Sequence, residues 1–121
     1  MPKPLKAVSG TNSKAMCDTN ILYEDSEYLI SQCSSCEKVC VYFQQVIVGL
    51  SKEEFLDWNL SFFTTPFEQR AYIFPDQQLR VIVDTPYPDL QLTFNKAQYN
   101  QLKDGIQQAL NMMRIQELVA F

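Results

Sequence analysis

Several short stretches of the chain alternate between apolar and polar residues, and this period of two predicts β-strands. In residues 79–84, for example, Leu79, Val81 and Val83 fall on one face. Apolar residues are densest in 38–49, which predicts one long strand that is covered on both faces near its end. The predicted strands are 20–24, 27–33, 38–49, 70–74, 79–84 and 90–94.

Two other stretches carry apolar residues at helical spacing, and each begins with a capping box, in which two side chains cap backbone N–H groups reciprocally. The first helix begins at Ser51, has its second capping residue at Glu54 and ends before Pro66. The second begins at Asn95 with Gln98 and runs to about residue 120. The apolar stripes are Phe55, Trp58 and Phe62 in the first helix, and Tyr99, Leu102, Ile106, Leu110 and Met113 in the second.

Each predicted helix follows three predicted strands, and the two helix starts align with each other, which suggests a βββα duplication. Because strands and helices occur in runs rather than in strict alternation, we expect an α+β fold, an antiparallel sheet with two helices on one side. Residues 17–121 are predicted to form this single domain. Residues 1–16 lack a periodic apolar pattern and are predicted to be a mobile N-terminal tail.

Composition and charge narrow the classes of function. The chain has 121 residues, of which 46% are hydrophobic, and this favours a globular fold. Its net charge is −4, and three of its ten basic residues lie in 1–16, so the basic footprint of nucleic-acid binding is missing. No apolar run is long enough to span a membrane, and the N-terminus lacks the apolar segment of a secretory signal. We therefore expect a cytoplasmic protein.

Four cysteines carry the clearest candidate chemistry, because cytoplasmic cysteines bind metal or stay reduced more often than they form disulfides. Cys33 and Cys36 are separated by two residues in a tight turn, a spacing that lets two thiolates hold one zinc ion. The chain has no histidine. The other ligands of a tetrahedral site would therefore be Cys17 and Cys40, or a carboxylate such as Asp18. We predict a structural zinc held by Cys17, Cys33, Cys36 and Cys40.

Two alternatives stay open for these cysteines. Cys40 could pack as a small apolar residue in its strand, with Cys33 and Cys36 as reduced thiols at a turn. A redox role for Cys33 and Cys36 is disfavoured, because the pair precedes a strand rather than a helix whose N-terminus would stabilise a thiolate. Other enzymatic chemistry is also disfavoured, since a nucleophile has no histidine as its base and the chain has no glycine-rich phosphate loop.

Two apolar groups invite a further interpretation. Trp58, Phe62, Phe63 and Phe67 could line a ligand pocket, although aromatic residues at helical spacing are more often core. Phe63 is the exception, because the apolar stripe of the first helix does not require it. The end of the last helix is more apolar than one core-facing stripe requires, and such a surface usually marks an interface. We therefore predict a homodimer through this helix, with Met112, Met113, Ile115, Leu118, Val119 and Phe121 at its end.

With these residues in view, the chain resembles a class of small uncharacterised bacterial proteins. They share a Cys-x2-Cys between two strands, a long apolar strand and a Leu-Ser/Thr-x-x-Glu-Phe helix start. Here these are Cys33 to Cys36, Val39 to Val48 and Leu50 to Phe55. The resemblance covers residues 17–62, implies that the four cysteines act together, and implies no activity.

The function expected from the sequence is a non-enzymatic binding or regulatory module of unknown ligand, stabilised by zinc. The alternative is a small-molecule-binding protein or enzyme that uses a pocket between the sheet and the helices. A third interpretation is a protein-interaction domain with reduced, unliganded thiols.

Overall fold

A computed structural model describes residues 18–119, and in this part of the chain seven strands and three helices confirm the predicted α+β class. Residues 1–17 and 120–121, which include the predicted tail, Cys17 and Phe121, lie outside the described residues. The elements are β1 Thr19–Glu24, β2 Tyr28–Cys33, β3 Val39–Phe43, β4 Val46–Leu50, α1 Lys52–Phe62, α2 Phe67–Arg70, β5 Tyr72–Ile73, β6 Leu79–Asp84, β7 Gln91–Phe94 and α3 Lys96–Leu118.

The strands of the described chain form two antiparallel sheets, one with the order β1-β2-β3-β4 and one with the order β5-β6-β7. Every strand pairs with its neighbour in sequence, because short connections favour hairpins. A register shift between Ile21 and Tyr23 makes a bulge in β1. Leu22, at this bulge, is buried in the core.

The predicted long strand 38–49 is wrong in two respects. It is a hairpin of β3 and β4 rather than one strand, and its end is covered on one face only, since Val48 is buried but Ile47 is 62% exposed. Phe43 pairs with Val46, and Gln44 and Gln45 form the turn between them. Gln44 has a φ of 51°, a left-handed conformation that two-residue hairpin turns require and that glycine or asparagine usually supplies. The first half of the chain therefore has four strands, one more than the suggested repeat.

The predicted strand 70–74 is also shorter than expected. Arg70 ends the short helix α2, and only Tyr72–Ile73 pairs with β6. Pro66 lies directly before α2, at its N-cap position, and its fixed φ suits the start of a helix. The proline that ends the predicted first helix thus also begins a second one, which the sequence pattern did not indicate.

Both predicted capping boxes are confirmed. The Ser51 hydroxyl accepts a hydrogen bond from the Glu54 N–H at 3.0 Å, and the Glu54 carboxylate accepts one from the Ser51 N–H at 2.8 Å. Asn95 and Gln98 make the equivalent pair at the start of α3. In α1, Phe55 and Trp58 are buried as predicted, but Phe63, the residue after the helix, is fully buried while Phe62 is only partly buried.

Helix α1 runs antiparallel to α3. Lys52 at the start of α1 forms a 2.6 Å ion pair with Glu117 at the end of α3. Near the middle of both helices, the Gln107 side-chain amide donates a hydrogen bond to the Asn59 side-chain oxygen at 2.9 Å. Helix α3 contacts β1 and β2 of the first sheet and β6 and β7 of the second. One face of α3 therefore closes a core that both sheets share.

The core is built from the alternate residues of the strands and from the helix stripes. Its members that lose all exposure are Ile30, Val39, Val41, Leu50, Phe55, Phe63, Val81, Val83, Tyr99, Leu102, Ile106 and Ala109. The Phe63 ring stacks on the Tyr99 ring, with 5.4 Å between the ring centroids. Burying this many apolar side chains supplies the main stabilising free energy of the fold.

Gly105 lets α3 approach β1 closely. A Cβ atom at this position would lie 2.6 Å from the ring of Tyr23, nearer than non-bonded carbon atoms can sit. The Tyr23 ring is held in place because its hydroxyl donates a hydrogen bond to the Asp25 carboxylate. That hydrogen bond, together with burial and the charges of Asp25 and Asp104, raises the pKa of Tyr23 to about 12.

We expect Gly105→Ala to lower the free energy of unfolding by about 1–2 kcal/mol, although alanine favours helix formation, because the new methyl group overpacks the contact with Tyr23. Denaturant unfolding measures this difference. Gln108→Ala, at an exposed position of the same helix, is the control and should change stability by less than about 0.5 kcal/mol. A Gly105→Ala variant as stable as that control would contradict the close approach.

We expect Gln44→Gly to raise the free energy of unfolding by about 0.5–1 kcal/mol, because glycine adopts a positive φ without the steric cost that glutamine meets. The matched control is Gln45→Gly, since Gln45 lies in the same turn without a positive φ. There glycine adds only backbone entropy to the unfolded chain and should destabilise the protein. Equal effects of the two substitutions would count against this turn.

Candidate functional site

The turn between β2 and β3 holds Cys33 and Cys36. Two backbone hydrogen bonds close it, from the Cys33 N–H to the Lys38 carbonyl and from the Glu37 N–H to the Cys33 carbonyl, both at 2.9 Å. Glu37 has a φ of 65°, and this left-handed residue turns the chain sharply after Cys36. The predicted tight turn between two strands is confirmed.

The sulfur of Cys33 makes polar contacts within the turn. The backbone N–H of Cys36 donates to Cys33 Sγ at 3.3 Å, and the Ser35 hydroxyl lies 3.3 Å from the same sulfur. These contacts hold the two residues that follow Ser34 against Cys33, so the turn keeps both cysteines on one short loop.

Cys40 lies on the same face of the first sheet as Cys33. It pairs with Ser31 of β2, two residues before Cys33, so the two cysteines are diagonal neighbours, whose Cα atoms are typically about 7–8 Å apart. Burial raises the pKa of the half-buried Cys40 thiol. The Lys38 charge opposes this rise in the pKa, whereas Cys36 and Cys33 add to it. The structure thus brings these three predicted residues to one region.

Lys38 is a neighbour of this cysteine cluster that the sequence did not single out. Cys40 pairs with Gly49 of β4, and a Cβ atom at Gly49 would lie 3.0 Å from Lys38 Cε. The lysine side chain therefore lies across Gly49, in the space that a larger residue would fill. It places a positive charge close to Cys40. Only the β3–β4 hairpin, which sequence reasoning missed, brings Gly49 opposite Cys40.

The start of β1 joins the same turn. The Ser34 N–H donates a hydrogen bond to the Asp18 carbonyl at 2.9 Å, and Thr19 pairs with Cys33. Cys17, the fourth predicted cysteine, precedes Asp18 in the sequence and lies outside the described residues.

Within residues 18–119, no group of three or more cysteine or acidic side chains is arranged to hold a metal ion. Cys33, Cys36 and Cys40 lie near one another but do not converge on one point there. The fourth cysteine of the predicted set is not among these residues. The zinc site and its four ligands, Cys17, Cys33, Cys36 and Cys40, stay a prediction.

The aromatic cluster behaves mainly as core. Trp58 and Phe67 are buried, as expected, whereas Phe62 is partly buried. The expectation that Phe63 is an exception to the core is wrong, because its ring stacks on Tyr99 and is fully buried. The Trp58 indole N–H donates a hydrogen bond to the Asp84 carbonyl at 2.7 Å and so ties α1 to β6. Arg70 lies over the Phe62 ring, 5.2 Å from its centroid. Phe62 also lines a cavity.

The end of α3 carries the predicted apolar surface. Ile115, Leu118 and Val119 are 52%, 67% and 73% exposed, and Met112 is also exposed. Met113 is buried in the core, so it does not contribute to this surface, and Phe121 is not among the described residues. The C-terminal patch is defined as Met112, Ile115, Leu118 and Val119. The homodimer stays a prediction.

Comparison of the chain with protein-family models, with curated proteins and with solved structures finds no match. The resemblance to small bacterial proteins stays a prediction. None of the helices within residues 18–119 combines the length and apolar character that a membrane crossing needs.

Proposed function

We propose that the protein is a cytoplasmic, non-enzymatic binding or regulatory module whose fold is stabilised by one zinc ion held by Cys17, Cys33, Cys36 and Cys40. The observation that carries this proposal is the hydrogen bond from the Ser34 N–H to the Asp18 carbonyl. It holds the residue that follows Cys17 against the turn that contains Cys33 and Cys36.

A zinc ion at this position would join the start of β1, the end of β2 and the start of β3. Four thiolates around Zn²⁺ leave a net charge of −2, and the positive charge of Lys38 nearby would reduce the cost of that charge. Because the unfolded chain has no preformed site, metal binding would contribute directly to the folding free energy. The zinc would thus be structural, and the exposed surfaces of the module would bind its partner.

We expect purified, untagged protein to contain about one zinc ion per chain, measured by mass spectrometry of the metal. Cys36→Ser should remove the zinc and lower the melting temperature by about 10 °C or more, since the lost metal contributed to folding. A chelator should lower the melting temperature of the wild-type protein and leave that of Cys36→Ser unchanged.

Ser34→Ala is the matched control for this experiment. Ser34 lies in the same turn, and the substitution keeps its backbone N–H, which donates to the Asp18 carbonyl. It should keep the zinc. Cys17→Ala and Cys40→Ala test two of the three remaining ligands, and each should lose zinc as Cys36→Ser does. Protein without zinc after refolding in excess zinc, with a melting curve that chelators do not change, would refute the proposal.

We also propose that two copies of the chain associate through the C-terminal patch. Met112, Ile115 and Val119 follow one another at helical spacings along the side of α3 that faces away from the core residue Met113. Two α3 helices that pack on each other around a two-fold axis would cover both patches at once. Removing this apolar surface from water is the driving force for the association.

We expect Ile115→Glu to yield a monomer at concentrations of about 100 µM, where the wild-type protein should sediment as a dimer. The side chain is 52% exposed, so the glutamate should leave folding intact, which circular dichroism checks. Gln108→Glu adds the same charge at another exposed position of α3 and should remain dimeric. A wild-type monomer at this concentration would contradict the dimer.

A further inference from the structure

A cavity of about 490 Å³ lies where the ends of α1 and α2 meet the second sheet. This volume falls within the range of small-molecule sites. The cavity shares no residue with the cysteine cluster, so a test of one does not depend on the other. Its lining residues are Phe62, Gln69, Arg70, Tyr72, Ile82, Asp84 and Gln91.

Arg70 supplies a positive charge on one wall of the cavity. Its guanidinium lies over the Phe62 ring, 5.2 Å from the centroid, and this cation–π contact fixes its position. Within residues 18–119, the buried Nε atom of Arg70 has no hydrogen-bond partner. A buried donor without an acceptor costs free energy. Nε is one of the nitrogens through which arginine donates two parallel hydrogen bonds to a carboxylate.

Asp84 supplies a negative charge in the same cavity. Its Oδ1 accepts a hydrogen bond from the Gln91 side-chain amide at 2.7 Å, and Asp84 pairs with Gln91 across β6 and β7. The Trp58 indole N–H donates a hydrogen bond to the Asp84 backbone carbonyl. Although Arg70 and Asp84 line one cavity, they form no ion pair with each other in the described part of the chain. Two fixed, opposite charges therefore face a shared space without neutralising each other.

This charge arrangement selects the class of ligand. A simple anion would be repelled by Asp84, and a simple cation would be repelled by Arg70. A molecule that carries both a carboxylate and an ammonium group can pair its carboxylate with Arg70 and its ammonium group with Asp84. The side chains of Ile82, Phe62 and Tyr72 line the same cavity and offer apolar and aromatic surface to the rest of the ligand.

We propose that the Arg70–Asp84 cavity binds a small zwitterion of the α-amino-acid class with an apolar or aromatic side chain. The Arg70 guanidinium binds the carboxylate, and the Asp84 carboxylate binds the ammonium group. The side chain of the ligand packs against Ile82 and the neighbouring aromatic rings. This proposal goes beyond the zinc-stabilised module, because it names a ligand for a different part of the fold.

The probe is L-phenylalanine, titrated into the full-length protein by isothermal calorimetry. Trp58 is the single tryptophan, and its indole N–H is hydrogen-bonded to the Asp84 carbonyl. Its fluorescence therefore offers an independent signal of ligand binding at the site. We expect a dissociation constant of about 1 mM or tighter. 3-Phenylpropionate lacks the ammonium group and 2-phenylethylamine lacks the carboxylate, and each should bind at least about tenfold more weakly than L-phenylalanine.

Arg70→Gln and Asp84→Asn should each weaken L-phenylalanine binding at least about tenfold, whereas Arg114→Gln, on the exposed surface of α3, should bind normally. The melting temperature of each variant shows whether it folds. If Arg70→Gln does not fold, Asp84→Asn decides the result. The proposal is overturned if neither L-phenylalanine nor L-leucine binds at about 10 mM, if the two analogues bind as well as L-phenylalanine, or if the folded cavity variants bind normally.

Discussion

The rest of the structure depends on the burial of one face of α3 against both sheets. Neither sheet is closed on itself, and each needs an apolar surface to cover its inner face. Tyr99 joins α3 to the chain between α1 and α2. Its ring contacts the rings of Phe63 and Phe67. Its hydroxyl lies 2.8 Å from the Phe62 carbonyl and 2.7 Å from the Thr65 carbonyl. A hydroxyl has one proton, so it donates to one carbonyl at a time. The loop after α1 is thereby held to the long helix.

The elements that local chemistry specifies could be predicted from the sequence. The capping boxes at Ser51 and Asn95 and the apolar stripes behind them locate both main helices, because these signals need only a few neighbouring residues. The β3–β4 hairpin could not be predicted, because its Gln44–Gln45 turn lacks the glycine or asparagine that usually marks one. There the pairing of two apolar strands holds a glutamine in a left-handed conformation, and tertiary structure overrides the local preference.

The candidate sites, too, could be predicted only where neighbouring residues specify them. The spacing of Cys33 and Cys36 identifies their turn directly. The approach of Cys40 follows from the register of β2 and β3, and only the contact of Lys38 with Gly49 depends on the hairpin that was missed. The cavity residues could not be predicted from the sequence for another reason. Arg70 and Asp84 are separated in the sequence and meet only because α2 and β6 border the same space. Sequence pattern specifies what a residue contacts within its own element, and rarely what it contacts across the fold.

The order of the strands also bears on how the chain reaches this structure. In the first sheet every strand pairs with the next one along the chain, so each hairpin closes through a short loop at a small cost in entropy. The contacts of α3 are different, since the hydrogen bond from the Tyr28 hydroxyl to the Gln98 carbonyl joins residues 70 positions apart. Such distant contacts form slowly. The first sheet can therefore assemble while the chain is still being synthesised, but its inner apolar face stays uncovered until the last helix has left the ribosome, and during that interval the nascent chain is most exposed to aggregation.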